Sequence, residues 1–185
     1  MASMKSVGRP APGAGVPSPK GEFIYLYDVD DIAKYPTRTP GTKSYAAELE
    51  LKAEAKGTLF YATAGTIEPV VEKTGTTDDV GFKNGFKWSY PGDNADAVIE
   101  VMANRSFIGI TKTCKGDGLK VYGSECKPLR LQTLEITDNN EANKRVITLQ
   151  QVTPDDCLPM LYTGELPAVA APEADAPAGP DSESI

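Results

Sequence analysis

The sequence predicts a mainly β protein, a sandwich or barrel of about eight to ten strands with one packed α-helix. Residues 22–163 form short runs in which apolar and polar residues alternate, separated by Gly, Pro, Asn and Asp turn signals. A single segment has helical periodicity. The 185 residues are enough for one ordinary domain with terminal extensions.

The first predicted strand is Glu22–Tyr27, which is rich in aromatic and branched residues. The acidic run Asp28–Asp31 ends it, and a loop containing prolines continues to Ser44. Residues 45–56 then alternate charged with apolar side chains, which predicts a strand with one charged face. The charged positions of this strand are Glu48, Glu50, Lys52 and Glu54.

Two more strands are predicted at Thr58–Thr63 and Thr66–Lys73, and Pro69 places the second at an edge or a bulge. A third strand follows Asn84-Gly85. Its aromatic residues share one face and are expected to pack into the core or against a neighbouring subunit. These residues are Phe86, Trp88 and Tyr90.

The one predicted helix covers about residues 93–105. Asp93 is a favourable N-cap, and Asp96 suits the positive end of the helix dipole. One apolar stripe follows the spacing i, i+3, i+4 and i+7 and is expected to face the sheet. Its members are Ala95, Val98, Ile99 and Met102.

The remaining predicted strands follow the helix and end at Thr163. A change in apolar parity between Leu131 and Leu134 predicts a β-bulge in one of them. Asp138-Asn-Asn140 predicts the turn after that strand. The strands are Phe107–Cys114, Leu119–Tyr122, Pro128–Thr137, Lys144–Val152 and Leu158–Thr163.

The composition predicts three segments. Residues 1–20 are rich in Pro and Gly and are expected to form a flexible arm, residues 21–163 the β-rich core domain, and residues 164–185 a flexible acidic Ala/Pro-rich tail. No apolar stretch has the length of a signal-peptide core or a membrane helix, so the sequence predicts cytoplasmic synthesis and no membrane association.

Charge and residue types make catalysis and nucleic-acid binding poor first hypotheses. The chain carries 26 acidic and 19 basic side chains, a net charge of −7, and no histidine. Phosphate binding relies on Lys and Arg, so this surface is expected to repel DNA. Without histidine, the commonest general base and metal ligand is missing. We therefore expect a protein that is not an enzyme and has no cofactor.

Two clusters deserve comparison with known ion sites. Asp28, Asp30 and Asp31 resemble the start of a calcium loop, but Ala33 and Thr39 stand where an EF-hand needs Gly and Glu. A turn that ends a strand is the preferred interpretation. The three cysteines lack a CxxC pair and any histidine, which argues against zinc. Cys114 and Cys126 flank a turn-rich stretch and are the candidate pair for a disulfide across a hairpin, whereas reduced thiols, Cys157 included, are the preferred interpretation for a cytosolic product.

The acidic residues allow two further interpretations. A glycosidase needs two carboxyl groups across a sugar, and sequence alone does not give that distance. The charged face at Glu48, Glu50 and Glu54 is either an ordinary solvated face or a channel lining. In a ring of identical subunits it would line the bore with carboxylates and keep a passing nucleic acid from adhering.

The order of strands, one helix and flexible extensions resembles the tail-tube protein family of tailed bacteriophages. Several strings are also similar to small virion proteins of such phages. They are Ile24-Tyr-Leu-Tyr-Asp-Val-Asp-Asp-Ile32, Tyr122-Gly-Ser-Glu-Cys-Lys-Pro-Leu129 and Leu161-Tyr-Thr-Gly-Glu-Leu166. The resemblance covers roughly residues 22–166. The acidic Pro/Ala tail is not part of the family pattern.

The resemblance implies a homo-oligomeric ring, commonly a hexamer, stacked into a tube in the virion tail and assembled in the host cytoplasm. The implied partners are other copies, other virion proteins and DNA as a cargo that does not adhere. The loop after the first strand becomes a candidate inter-subunit contact, through Asp28, Asp30, Asp31, Tyr35, Pro36, Arg38 and Pro40. The alternative is a capsid decoration or tail-associated β-sandwich that binds a preformed lattice.

Overall fold

The computed structural model describes residues 7–10, 12, 19–38, 42–45, 47–76, 79–113 and 118–171, and it confirms a mainly β fold. The described residues form eleven strands and one α-helix, with a short 3₁₀ turn at Val29–Asp31. The strands before the helix are β1 (Lys20–Asp28), β2 (Ile32–Lys34), β3 (Glu50–Leu51), β4 (Thr58–Tyr61), β5 (Glu68–Thr74) and β6 (Gly81–Pro91). After helix α1 (Asp96–Met102) come β7 (Phe107–Thr113), β8 (Leu119–Tyr122), β9 (Leu129–Asp138), β10 (Asn143–Gln151) and β11 (Met160–Tyr162).

Nine strands form one antiparallel hydrogen-bonded network with two parts. The first part has the order β4-β1-β7-β8-β11, and the second has the order β5-β6-β10-β9. One residue pair, Phe107 with Leu129, joins them. The two parts pack face to face, because both contribute side chains to one core. Strands β2 and β3 form a separate two-stranded ribbon.

Aromatic side chains from both parts fill the main core between them. Strand β6 supplies Phe86 and Trp88, and Tyr90 packs against the same cluster, as the sequence predicts. Trp88 meets Phe60 of β4 edge to face at 5.3 Å between ring centroids, and Phe86 meets Tyr122 of β8 at 5.1 Å. Such edge-to-face pairs add to the stabilisation from burial alone.

Helix α1 lies over this core but is shorter than predicted at both ends. Asp93 is not the side-chain N-cap; only its carbonyl oxygen accepts a hydrogen bond, from the amide of Asp96. Ala95, Ile99 and Met102 are buried, whereas Val98 is 43% exposed, so the packed stripe is narrower than predicted. No helix within the described ranges has the length and apolar character needed to cross a membrane.

A second, smaller core lies on the other face of the first part. It contains Tyr27, Ile108 and Ile110, covered by the loop after β1 and by residues 164–171. The amide of Gly57 donates to Ala168, the amide of Ala170 donates to Gly57, and the Tyr27 hydroxyl donates to Pro167. We call residues 164–171 the C-terminal strap. The packed region therefore extends past Thr163, and residues 172–185 of the predicted tail lie outside the described residues.

The predicted strand over residues 45–56 is wrong except at Glu50–Leu51. Glu54 adopts a positive φ of 64° in a turn, which ends any extended run there. Leu49 is buried in the second core and Glu48 and Glu50 are exposed, so the alternation is correct only over these few residues. Ala, Glu and Lys also have low strand propensity, which favours a loop here.

Two finer predictions are confirmed. The pairing of β9 with β10 shifts register between Thr148 and Leu149, which places an extra residue, Gln132, between Leu131 and Thr133. Strand β5, which carries Pro69, lies at the end of its strand order. Proline suits an edge because it cannot donate to a neighbouring strand.

Candidate functional site

The best-organised polar site of the described residues is a loop junction around Asp155. This carboxylate is 9% exposed and accepts hydrogen bonds from Ser124 Oγ at 3.2 Å and Gln151 Nε2 at 3.3 Å. Lys127 Nζ lies 3.3 Å from its other oxygen. The backbone of Asp155 also pairs with Phe82 in both directions. Asp155 thus joins the loop after β8 and the end of β10 through its carboxylate, and the start of β6 through its backbone.

The charge on Asp155 is stabilised by its surroundings. Burial raises the pKa of this carboxyl, but hydrogen bonds from the Asp156 amide and the Gln151 side chain, with the positive charge of Lys127, outweigh burial and lower it. Asp155 is therefore ionised at neutral pH. A general acid needs the opposite shift, so this carboxyl suits a structural role better than proton donation.

A cavity of about 290 Å³ opens beside this junction. Its polar walls come from three loops, and its volume is at the lower end for small-molecule sites. Arg38 closes one side and pairs with Asp156 at 2.6 Å. The residues that matter for its chemistry are Tyr35, Arg38, Tyr45, Lys127, Asp155 and Cys157.

The titratable groups of the cavity are held in their neutral or paired forms. Burial, with the nearby negative charge of Asp155, raises the pKa of the Cys157 thiol. Burial and the charges of Cys157 and Asp155 raise the pKa of Tyr45 to about 12. A thiol with a raised pKa is a weak nucleophile because only the thiolate attacks. Cys126 also borders the cavity, and both of these cysteines are free.

Asp155, Asp156 and Cys157 bring their ligand atoms within 4.8 Å of one another. Both carboxylates already have cationic partners, Lys127 and Arg38. The ion pairs account for the arrangement as a fastening between loops, and no further observation at this cluster points to a bound ion.

The predicted inter-subunit loop folds back onto this junction. Tyr35, Pro36 and Arg38 line the cavity, and the Tyr35 hydroxyl donates to the carbonyl of Val29 at 3.1 Å. Burial is the main cause that raises the pKa of Tyr35. Arg38 also forms a backbone bridge with Tyr45. Pro40 lies outside the described residues.

The acidic run at the start of this loop is a turn that ends β1, as the sequence favours. The Asp28 carboxylate accepts from the amide of Asp30 at 3.0 Å and pairs with Arg105 at 2.8 Å. Carbonyl oxygens of Asp30 and Asp31 accept from the side chain and amide of Lys52. These contacts join the 3₁₀ turn to Arg105, which follows α1, and to Lys52, which follows β3.

The candidate channel residues do not lie on one strand face. Glu48, Glu50 and Glu54 are all exposed, but Glu50 pairs with Lys34 at 2.5 Å and Glu54 lies in a turn.

Sequence reasoning also missed Asp155. The usable signal was Gln151, because β10 buries Arg145, Ile147 and Leu149 on the same face and a polar residue in that series needs a buried partner.

Strand β9 is an open edge. After Leu129 its described pairing is with β10 alone, and it is ten residues long. Leu134 and Ile136 are 40% and 57% exposed on it. Its stretch from residue 131 to 138 contains neither proline nor lysine, which protect many edge strands. β5, the other end of the same part, carries Pro69 and Lys73, whereas the charged residues of β9 are Arg130, Glu135 and Asp138.

Fold and site together define a mainly β protein of two packed strand layers, with loops fastened by ion pairs and one long edge strand without proline or lysine. Comparison with known proteins gives no match: no protein-family model, no curated protein and no solved structure is significantly similar to the chain.

Proposed function

We propose that this chain is a structural virion protein of a tailed bacteriophage, most like the tail-tube subunit, which self-associates into stacked rings around a DNA-conducting channel. The proposal assigns it no enzymatic activity. Its location would be the virion tail, with assembly in the host cytoplasm beside other virion proteins. The sequence strings and the mainly β fold with one helix support the resemblance on which it depends.

The observation that carries the proposal is the open edge of β9. A strand whose described pairing after Leu129 is on one side only, and which exposes Leu134 and Ile136, is a template for another strand. Two β9 edges paired with each other would give a two-fold dimer, so a ring needs β9 to meet a different surface of the next copy. Such head-to-tail contacts close into rings when the rotation permits.

The outer face of this part is suited to a bore through which DNA moves without adhering. Phe86 and Trp88 point into the core, so Lys87 of β6 points outward, where it pairs with Glu68 of β5 at 3.0 Å. Lys87 is thereby partly neutralised and binds phosphates less readily. That Glu48, Glu50 and Glu54 line the channel stays a prediction. The continuous strand from which it was drawn is reduced to Glu50–Leu51.

The test is the assembly state of the purified full-length chain. Mass photometry across a concentration series and negative-stain imaging should detect closed rings and short stacked tubes. A particle that stays monomeric at the highest soluble concentration would contradict the tail-tube assignment. DNA added at physiological salt should not co-migrate with the rings.

A capsid decoration or tail-associated binding module is the second candidate. It is favoured by the exposure of Glu48, Glu50 and Glu54 to solvent in the isolated subunit, which suits an outward-facing surface. Such a module would be monomeric or trimeric alone and would bind only to a preformed lattice. The same concentration series separates the two candidates.

A further inference from the structure

An exposed strip of aromatic rings runs over one rim of the sandwich. Phe23 of β1 and Tyr61 of β4 are cross-strand partners that stay 40% and 36% exposed. Their ring centroids lie 5.8 Å apart, and those of Tyr61 and Tyr90 lie 6.5 Å apart, each pair edge to face. Tyr90 contacts the buried ring of Phe60 at 5.6 Å. We call Phe23, Tyr61 and Tyr90 the aromatic strip.

The backbone under the strip is fixed on both sides. The Ala62 amide donates to Glu22 at 2.8 Å, and the Thr63 amide donates to Ser89 at 2.8 Å, so the chain crosses from β4 towards β6 at this rim. The rings are therefore held in place before any partner binds, which lowers the entropy lost on docking. The N-terminal arm joins β1 at Lys20, three residues before Phe23.

The arm has the chemistry that aromatic surfaces of this kind bind. It contains Pro10, Pro12, Pro17 and Pro19, and proline-rich segments adopt the extended polyproline II helix without further ordering. Such helices dock on aromatic-lined surfaces.

Charge also favours contact between arm and core. Before Lys20 the arm carries Lys5 and Arg9 and no acid, while all 26 acidic side chains lie in the rest of the chain. An Arg guanidinium over a Tyr ring gains a cation–π contact as well.

Both surfaces are exposed where the structure describes them. Val7, Gly8, Arg9 and Pro10 are all exposed, Val7 by 96%, while Phe23 and Tyr61 stay exposed on the rim. A ten-residue polyproline II segment spans about 31 Å, so an extended arm would project well beyond the strand to which it is joined. The arm of a second copy is therefore available to cover the aromatic strip of this one.

We propose that the proline-rich arm of one copy, centred on residues 9–12, docks on the aromatic strip of a neighbouring copy. The inference rests on the proposed function, since the occupant is another subunit of the same assembly. It deepens that function by adding a contact separate from the β9 edge.

The direct test is photo-cross-linking of the full chain. A Val7→p-benzoylphenylalanine variant is prepared in light and ¹⁵N-labelled forms, mixed, irradiated and digested. We expect the arm to cross-link to peptides that contain Phe23 or Tyr61, with light–heavy pairs that report contact between copies. Cross-links within one chain, to other surfaces, or none at all would overturn the inference. A probe at Leu158, 54% exposed, is the position control.

A pair of variants tests the energetic contribution. Tyr61→Thr keeps strand propensity and removes the ring, and we expect the concentration for half-maximal assembly to rise about tenfold, which corresponds to about 1.4 kcal/mol. Leu161→Thr, at a site 42% exposed on β11, should leave it unchanged. Rings that form without arm–strip cross-links refute this inference alone. A chain that never assembles refutes the proposed function and this inference together.

Discussion

Arg145 of β10 and Asp96 of α1 form a two-point ion pair that fixes the helix to the strand layer below it. Arg145 Nε lies 2.8 Å from Oδ1 of Asp96, and Nη2 lies 2.8 Å from Oδ2. The guanidinium is almost fully buried and also donates to Asn143 at 2.5 Å. The hydrogen bonds from Arg145 hold the pKa of Asp96 below its usual value.

Replacing Arg145 should loosen the helix. We expect Arg145→Met to lower the midpoint of thermal unfolding by several degrees, because Asp96 then loses its partner. Arg145→Lys should recover only part of the loss, since an ammonium cannot make the forked contact. Scanning calorimetry measures both. Arg130→Met, at an exposed position, serves as the control, and an equal loss there would contradict a specific role for Arg145.

Gly109 should tolerate no side chain. It lies in β7 beneath Phe86, and an added Cβ would sit 2.5 Å from that ring and 3.0 Å from Leu129. We expect Gly109→Ala to lower the free energy of unfolding by about 1–3 kcal/mol, as overpacking does. Chemical denaturation measures this loss. In a Phe86→Leu background, Gly109→Ala should cost less than in the natural chain, because the clashing ring is gone; the double-mutant cycle measures this difference.

Gly8 provides the matched comparison for Gly109, because no atom lies within 4 Å of its added Cβ. Gly8→Ala should leave unfolding unchanged. Equal effects at the two positions would show that the effect of Gly109→Ala does not come from the Phe86 contact.

The Asp155 junction should make stability depend on pH. The unfolded carboxyl has a pKa of about 3.9. Since the folded pKa of Asp155 is lower, its ionised form stabilises the fold above about pH 4, and this contribution is lost as the pH falls through the folded pKa. Asp155→Asn should cost about 1–3 kcal/mol at neutral pH, where charged hydrogen bonds are broken.

The measurement is the difference in unfolding free energy between the natural chain and Asp155→Asn from pH 7 to pH 2. The difference should be constant above about pH 5 and shrink below about pH 4. Glu100→Gln, on the exposed side of α1, should show no such trend. A difference that grows towards acid would refute the assignment.

A single charge on β9 should block assembly without unfolding the subunit. Ile136→Lys places an ammonium on the open edge, where strand pairing by another copy would have to desolvate it. We expect rings to disappear in mass photometry while the circular dichroism spectrum stays unchanged. Leu158→Lys changes a residue of similar exposure in a loop and should assemble normally. Intact rings from Ile136→Lys would exclude β9 as the contact.

The sequence predicts the strands well where side chains decide the structure. The aromatic face of β6 and the bulge at Gln132 follow from period-two alternation, because one face must be buried. The segment at residues 45–56 shows the limit. Its alternation fits a strand, but loop contacts such as Lys52 with Asp30 come from residues about twenty positions away. The alternation of residues within this segment gives no information about such distant contacts.

The candidate site was harder to predict for the same reason. Asp155 lies in a short loop and gains its meaning from Ser124, Lys127 and Gln151, which the fold brings together. The predicted loop residues Tyr35, Pro36 and Arg38 do reach a common place, the cavity beside Asp155. The sequence predicted that these residues contact another subunit. It did not indicate that they pack beside Asp155 of the same chain.

The C-terminal strap has a consequence for how the protein is made. Tyr27 lies in the first strand and receives its cover from Pro167, 140 residues later. A ribosome adds roughly 5–20 residues per second. The apolar outer face of the first strand therefore stays exposed to water for several seconds, until the C-terminal strap has been synthesised. The first strand therefore cannot complete its packing until Pro167 has been synthesised, and a product that ends before this residue keeps an uncovered flank.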